Sequence, residues 1–479
     1  MRIRPRAMPG ARTKEDPPDM DATAAAPPSP NTASIDATPS QADAMSRVPS
    51  MTSFVDEPKV SESSVKVLAP LKEEPVEHTG LYLSTAVAML ALSAAAASDV
   101  STLVRLFEEN VQLPNTIALT LGGDSMQVHL VPPNLSLLLE LGVFASLSFA
   151  IACTHTAMLL AGRGNAASGA LSVVLGALAL PLPFLLESSY GLPKMGCALM
   201  LWVSYWKVLD IVGGTARPAV LASPRTLLLH LLILVEYRGD QHSNEVAPPS
   251  ELPATIRKVM LVLAGYMALA SAHAHEPPEA LVAAAPSLLY AIRVYAAVWI
   301  IYVCLMITGE GNALVLNSFG LRPQPFFRNP MLASQSPIDF WSRRWNLLIR
   351  GLFHRSIFSP LRARKTPTGL CALAAFVVSG LFHEYAFMAA SGGRAFGSNL
   401  IFFLTQGIIC TLEAVLGALG VQAPRWVRDA PKLRAALTTL CCVPFSPLFM
   451  APLRVHEVGK TNVLQQMLSA VPHFRVELL

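Results

Sequence analysis

Apolar residues run along this chain in long blocks, and polar residues gather between the blocks. Most blocks approach the roughly 20 residues that a transmembrane helix needs. They cover residues 81–98, 134–160, 168–186, 195–213, 225–236, 258–275, 286–308, 369–390, 398–420 and 433–453. The block at 225–236 is too short to span a bilayer alone, so the pattern predicts eight to ten spans.

The composition supports an all-α, polytopic transmembrane fold. Of 479 residues, 52% are hydrophobic and only 14% are charged, whereas a soluble domain has about 25% charged residues. The seven cysteines lie mostly inside apolar blocks and form no CxxC pair. We therefore expect neither a disulfide framework nor a metal site. The sequence shows no internal repeat and no symmetric pair of broken helices of the kind found in many transporters.

The first 79 residues differ from the rest of the chain. They contain twelve prolines and a single aromatic residue, Phe54. Such a segment cannot bury enough apolar surface to offset its ordering entropy, so residues 1–79 are predicted to be a disordered extension before a membrane domain at 80–479. The first fourteen residues carry five basic groups and no acid. A transit peptide is thus an alternative, although the acids and prolines that follow favour an inert tail.

One long polar connection, residues 309–368, interrupts the apolar blocks. Between Arg322 and Lys365 it holds nine basic residues and one acid, Asp339. Basic loops of membrane proteins stay preferentially on the cytoplasmic side. The connection is therefore predicted to be a long cytoplasmic loop.

Within this loop, the run SPIDFWSRRWN (336–346) has the chemistry of a helix start. Ser336 suits the N-cap, Pro337 the first helical position and Asp339 the positive end of the helix dipole. A continuous helix from there would lie in the membrane interface with two distinct faces. The apolar face would carry Ile338, Trp341, Trp345, Leu348 and Leu352. The polar face would carry Asp339, Arg343, Asn346 and Arg350, with Asp339 and Arg343 paired at i,i+4.

This helix has two interpretations. The simpler one is an interfacial linker with tryptophans in the headgroup layer. The other is a binding site for an anionic ligand, in which arginines hold phosphates and tryptophans contact a flat base or an acyl chain. The sequence around it has no glycine-rich phosphate loop, so a P-loop or Rossmann nucleotide site is not supported.

The block at 369–390 contains His383 and Glu384 in otherwise apolar surroundings. An acid near the centre of a membrane helix costs about 2.5–3.5 kcal/mol on insertion scales, so such residues usually face a cavity or a partner. His383 is either a structural histidine bonded to a neighbour such as Ser379, or a functional group. Glu384 points about 100° away on the helix, and we expect it to bond a neighbouring helix.

A buried, neutral imidazole suits one kind of chemistry well. It can accept the proton of an alcohol while that alcohol attacks an activated acyl group. A thioester is a suitable donor, because a thiol leaves far more easily than an alkoxide. His383 is therefore the candidate general base. The Asn346 carboxamide is the candidate hydrogen-bond donor to the acyl carbonyl.

Several runs carry a family resemblance. They are WKVLDIVGG (206–214), NPMLASQSPIDFWSRRWN (329–346), SGLFHE (379–384) and PLFMAPLR (447–454). Together they resemble the wax synthase family of the membrane-bound O-acyltransferase superfamily, from about Lys207 to Arg454. Ser342 stands where a glycine is common, and Phe382 stands at a position that varies in the family.

The resemblance implies transfer of a fatty acyl group from acyl-CoA to a long-chain alcohol in the endoplasmic reticulum. His383 matches the membrane-embedded histidine of the superfamily and Asn346 its upstream polar partner. The helix near the acyl-CoA entrance then supplies most of the expected substrate-binding residues, which are Asp339, Trp341, Arg343, Arg344, Trp345 and Ser379. Acyl-CoA is expected as a substrate, with no permanently bound cofactor. The expected partners are a lipophilic alcohol and the bilayer, without nucleic acid, and a homo-oligomer stays open.

Three alternatives to this function stay open at the level of sequence: another acyl acceptor, a lipid transporter and a purely structural membrane scaffold. Diacylglycerol or a sterol would accept the acyl group by the same chemistry. A lipid transporter would instead use the intramembrane polar residues to line a pathway. Among those residues, Lys207 and Asp210 are predicted to form a structural i,i+3 pair, and His155 and His230 are predicted to be structural. The HAHE run at 273–276 is typical of a helix end at the membrane interface.

Overall fold

The computed structural model describes residues 79–110, 117–120, 126–161, 165–239, 244–275, 279–454 and 462–478. The predicted disordered extension, except for Thr79, lies outside the described residues. Thr79 itself begins the first helix.

Helices dominate the described part of the chain. The first ten are α1 (Thr79–Ser98), α2 (Val100–Asn110), α3 (Leu135–Ala161), α4 (Ala166–Ala179), α5 (Leu182–Leu185), α6 (Gly191–Val212), α7 (Pro224–Leu232), α8 (Glu251–Ala274), α9 (Glu279–Ala284) and α10 (Pro286–Ser318). The last ten are α11 (Pro330–Ala333), α12 (Pro337–Asp339), α13 (Leu347–Phe353), α14 (Ser359–Ala363), α15 (Thr368–Ser391), α16 (Ser398–Ala418), α17 (Arg425–Arg428), α18 (Pro431–Cys442), α19 (Ser446–Arg454) and α20 (Val463–Ser469). Short 3-10 turns cover Pro218–Ala222 and Val443–Phe445.

A small antiparallel sheet joins two distant parts of the sequence. Its strands are β1 (Ile117–Thr120), β2 (Met126–Val131) and β3 (His473–Leu478), in the order β1-β2-β3. Strand β2 pairs with β3 from Met126 opposite Leu478 to Val131 opposite His473. The end of the chain is thereby fixed next to the connection that leads into α3.

The transmembrane prediction is confirmed in its main features. Within the described residues, seven helices are long and apolar enough to cross a membrane, or up to nine if each of two bent helix pairs is one span. This range overlaps the predicted eight to ten. The block at 225–236 forms the nine-residue helix α7, which is too short to span. The chain is an all-α, multi-pass membrane protein.

Helix α15 packs closely against α16. A Cβ atom added to Gly380 would lie 2.9 Å from the Leu400 Cα, so only glycine permits this close approach. The buried Glu384 carboxylate accepts hydrogen bonds from the backbone N–H groups of Asn399 (2.7 Å) and Leu400 (2.9 Å). These are orphan donors at the start of α16, and the carboxylate suits the positive end of its dipole. The prediction that Glu384 bonds a neighbouring helix is confirmed.

The predicted Lys207–Asp210 pair is wrong. Lys207 Nζ donates to the carbonyl oxygens of His230 and Ile233, both at 2.6 Å, at the end of α7. Asp210 instead pairs with Arg355 at 3.1 Å. Helix ends leave carbonyl groups without partners, and a fully buried ammonium satisfies two of them here. His155 and His230 are both buried, as expected for structural histidines.

The predicted continuous helix from Ser336 to Leu352 is also wrong. Its start is right, because Ser336 Oγ accepts from the Asp339 N–H at 3.2 Å. A π-helical turn then runs over Phe340–Arg344, and the helix ends where Trp345 is extended. Asn346 is left-handed (φ 39°, ψ 67°), and α13 begins after it.

The π-helical turn also changes the ion pairing. The Asp339 carboxylate pairs with Arg344 at 2.7 Å, five residues on, because the wider turn brings position i+5 where an α-helix places i+4. The predicted division into two faces therefore does not hold along the segment. A second π-helical turn, His354–Phe358, follows α13.

Candidate active site

The two π-helical turns, α13 and one face of α15 line a cavity that is partly open to its surroundings. On α15, Ala372, Ala375, Ser379 and His383 line it. Their spacing of three or four residues places them in one stripe on the helix surface. From Ala372 to His383 the stripe is about 16 Å long at 1.5 Å per residue. The cavity thus leads from the N-terminal end of α15 toward the histidine.

The imidazole of His383 has a defined tautomer. Its Nδ1 lies 2.7 Å from the backbone oxygen of Ser379, one turn earlier. A carbonyl oxygen only accepts, so Nδ1 carries the proton and Nε2 of the neutral ring has the lone pair. Among the described residues, Nε2 has no protein hydrogen-bond partner. Ser379 is therefore a neighbour of His383, as the sequence suggested, but it acts through its backbone.

Aromatic rings surround this imidazole. Phe403 stacks on it with ring centroids 4.4 Å apart and an angle of 30°. Phe382 and Phe449 lie edge-on at 4.9 and 5.4 Å. An apolar shell of this kind disfavours a charged imidazole and limits the access of water to the basic nitrogen.

Asn346 reaches the same cavity from the loop. Its side chain oxygen accepts a hydrogen bond from the Ile349 N–H at 3.2 Å, so Asn346 is the N-cap of α13. Asparagine is favoured at N-caps and tolerates the left-handed conformation better than most residues. An amide oxygen only accepts, so the Nδ2 amide is the part of the side chain that can donate to a ligand. Within the described residues Nδ2 makes no protein hydrogen bond.

The two predicted tryptophans form fixed walls of the cavity. Trp341 Nε1 donates to the buried Gln406 Oε1 on α16 at 3.2 Å. Trp345 stacks between Phe340 (5.2 Å, 17°) and Tyr302 (5.9 Å, 28°). Hydrogen-bonded and stacked indoles have little freedom to move, so both rings define the shape of the site.

Three predicted substrate-binding residues, Asp339, Arg343 and Arg344, do not line the cavity. Asp339 accepts from Arg344 and from the Gln335 N–H at 2.9 Å. Arg344 also donates to the Arg328 carbonyl at 3.1 Å. The Asp339–Arg344 pair therefore braces the loop beside the site. The other five predicted residues (Trp341, Trp345, Asn346, Ser379 and His383) meet at the cavity.

The cavity also contains residues that the sequence reasoning did not select. Arg350 lines it from α13, and His354 and Phe358 line it from the second π-helical turn. The helical pattern of the sequence places Arg350 on the polar face with Asn346, so the sequence does contain a signal for Arg350. His354 and Phe358 depend on the second π-helical turn, which no local pattern indicated.

Known proteins match this region and more. Residues 323–405, which include most of the loop and all of α15, match a family model described as the membrane bound O-acyl transferase family. Acyl-CoA--sterol O-acyltransferase 1 of Arabidopsis thaliana is 28% identical over 316 residues, which are 62% of this chain and 85% of that protein.

Two further relatives carry a different acceptor in their names. The long-chain-alcohol O-fatty-acyltransferase of Simmondsia chinensis is 28% identical over 259 residues, 51% of this chain and 70% of that protein. Probable long-chain-alcohol O-fatty-acyltransferase 3 of Arabidopsis thaliana is 34% identical over 149 residues, 30% of this chain and 43% of that protein.

A multi-pass helical fold with an imidazole and a carboxamide on one cavity fits the class of membrane acyltransferases. The family model covers both of these side chains, and the relatives are similar over longer stretches of the chain. The chain is therefore similar to the wax synthase family of the membrane-bound O-acyltransferases.

Proposed function

We propose that this protein transfers a fatty acyl group from acyl-CoA to the hydroxyl of a long-chain alcohol, which yields a wax ester and free CoA. The observation that carries the proposal is the meeting of His383 and Asn346 on one cavity, although they lie on separate elements. The sequence similarity to long-chain-alcohol O-fatty-acyltransferases supports the choice of reaction.

In the proposed reaction, His383 Nε2 takes the proton of the alcohol as its oxygen attacks the thioester carbonyl. The Asn346 Nδ2 amide donates to the oxyanion that develops, a contribution of about 3–4 kcal/mol in comparable sites. When the tetrahedral intermediate collapses, the C–S bond breaks and the imidazolium returns its proton to the departing thiolate. The apolar shell of His383 disfavours attack by water, so the alcohol is the preferred nucleophile.

The donor side is proposed to lie on the cytoplasmic loop. Trp341 and Trp345 would contact the donor inside the cavity. Arg343 and Arg344 would attract its phosphates from the loop surface, with Asp339 holding Arg344 in place. Acyl-CoA would enter as a substrate, without a permanently bound cofactor. The endoplasmic reticulum is the proposed location, and a homo-oligomer stays a prediction.

Expression in a host that lacks neutral-lipid acyltransferases tests the proposed function. Membranes with the protein should form labelled wax ester from labelled palmitoyl-CoA and hexadecanol, and membranes with His383→Gln should not. Absence of ester from the unchanged chain, with the protein present in the membrane, would contradict the proposal.

The same assay can test a sterol as an alternative acyl acceptor. The similarity to a sterol O-acyltransferase covers 85% of that relative, so a sterol is the alternative acceptor that an observation favours. Hexadecanol, a sterol and diacylglycerol supplied together at equal concentration should yield mainly wax ester. A lipid transporter would move lipid between leaflets without forming any ester and without requiring CoA.

A further inference from the structure

Four charged side chains lie next to the cavity, on the far side of the wall that the His354–Phe358 turn forms. They are Lys207 and Asp210 of α6, Glu236 of the segment after α7, and Arg355 of the turn itself. Lys207 and Asp210 are almost completely buried. The four residues, called the Arg355 cluster below, carry two positive and two negative charges.

Arg355 is the centre of the cluster. Its guanidinium reaches Asp210 Oδ2 at 3.1 Å and both oxygens of Glu236 at 2.5 and 3.4 Å. Burial by itself raises the pKa of the Glu236 carboxyl, but the charge and hydrogen bonds of Arg355 outweigh burial and hold this pKa below its ordinary value.

The other members fix the cluster to the membrane domain. Lys207 holds the His230 and Ile233 carbonyls, and so fixes the chain three residues before Glu236. Asp210 Oδ1 accepts from Ser356 Oγ at 2.7 Å and from Thr215 Oγ1 at 3.0 Å. Two consecutive residues of the turn are therefore bonded to one carboxylate on α6.

The same five-residue turn contributes to the cavity. His354 and Phe358 line it, while Arg355 and Ser356 bond the cluster. Phe358 packs on Cys371 and Ala372, near the N-terminal end of α15 that follows the basic loop. In the proposed acyl transfer, the donor would approach from this end of the cavity, next to the basic loop, and the lipophilic alcohol would arrive through the bilayer.

On this basis we propose that the Arg355 cluster positions the His354–Phe358 wall for binding of the acyl-CoA donor. Arg355 and Ser356 are then positioning residues, which affect the affinity for the donor and not the chemical step. This inference rests on the proposed acyl transfer.

A matched pair of variants tests the inference. Ser356→Ala and Thr215→Ala each remove one hydrogen bond to Asp210 Oδ1 without changing charge, but only Ser356 belongs to the wall. Ser356→Ala should raise the KM for palmitoyl-CoA about fivefold, the usual order for one hydrogen bond, and leave kcat and the KM for hexadecanol unchanged. Thr215→Ala should leave all three constants unchanged. Equal constants for the two variants would overturn the inference.

A second pair of variants, a single one and a charge-balanced double one, tests whether the cluster affects donor binding or only the stability of the fold. Arg355→Gln leaves an uncompensated negative charge, so less folded protein should reach the membrane. Arg355→Gln combined with Glu236→Gln leaves Lys207 and Asp210 to balance each other. This double variant should recover the amount of folded protein but bind a non-hydrolysable palmitoyl-CoA thioether about tenfold more weakly. Binding equal to that of the unchanged chain would show that the cluster only balances charge. If the unchanged chain forms no ester, the proposed function fails instead.

Discussion

His383 and Lys207 both lie inside membrane-spanning helices, yet their surroundings differ. Lys207 is fully buried and donates hydrogen bonds to two carbonyl groups. The charged atoms of its neighbours are also bonded, because Arg355 forms ion pairs with both Asp210 and Glu236. Within the part of the chain that the structure describes, His383 makes one hydrogen bond, to a backbone oxygen, and it faces a cavity. A saturated polar cluster specifies a structure, whereas a group with an unused basic nitrogen is ready for chemistry.

The comparison predicts the largest effect at His383. His383→Gln keeps a side chain of similar size but removes the base, so the rate of ester formation per folded protein should fall by about 10²–10⁴. His155→Gln is the matched control, because His155 is also intramembrane but does not line the cavity. Similar rates for the two variants would remove His383 from the mechanism.

Asn346 should show the next largest effect. Asn346→Asp keeps an oxygen that can cap α13 but has no amide donor, so kcat should fall by about 10²-fold or more with little loss of folded protein. Asn346→Ala should lose both the cap and the activity. A fully active Asn346→Asp variant would show that the side chain only caps the helix.

Glu384, like Lys207, is expected to stabilise the structure and not to take part in the reaction. Glu384→Ala would leave the N–H groups of Asn399 and Leu400 without their buried acceptor, which should lower the free energy of unfolding by about 2–3 kcal/mol. Thermal unfolding in detergent measures this loss. The rate per folded molecule should stay near that of the unchanged chain, and a large drop in that rate would place Glu384 in the site.

The smallest predicted effect concerns pH. The pKa of Glu236 lies below its ordinary 4.5 in the folded protein. Its ion pair therefore contributes stability that is fully present above about pH 4.5 and is lost as the pH falls through the lower, folded-state pKa. Thermal unfolding between pH 3 and pH 7 should show this loss. Glu236→Gln should flatten this part of the curve, and an unchanged slope would contradict the assignment.

Local chemistry made part of this structure predictable. The apolar blocks gave the spans because the bilayer sets their length. The N-cap at Ser336 was predictable from the three residues that follow it. The contact of Glu384 with a neighbouring helix was predictable from the angle of about 100° between adjacent residues of a helix. These features depend on neighbours along the chain.

Long-range contacts decided what the sequence did not predict. The helix ends before Asn346, and the neighbouring Leu347 N–H donates to the carbonyl oxygen of Phe326, 21 residues earlier in the chain. Helical spacing predicted that Asp210 pairs with Lys207. In the structure Asp210 pairs with Arg355, which lies 145 residues further along the chain. His354 and Phe358 reach the cavity because they lie on a π-helical turn. Arg355 and Ser356 of this turn bond to the distant Asp210, which a local sequence pattern does not reveal.

A cryo-EM structure of the protein with a non-hydrolysable acyl-CoA thioether and hexadecanol bound would test the central claim most directly. The alcohol oxygen should lie about 3 Å from His383 Nε2, and the Asn346 Nδ2 amide should point at the donor atom that replaces the thioester carbonyl. A donor bound elsewhere, or an alcohol oxygen far from Nε2, would contradict the account.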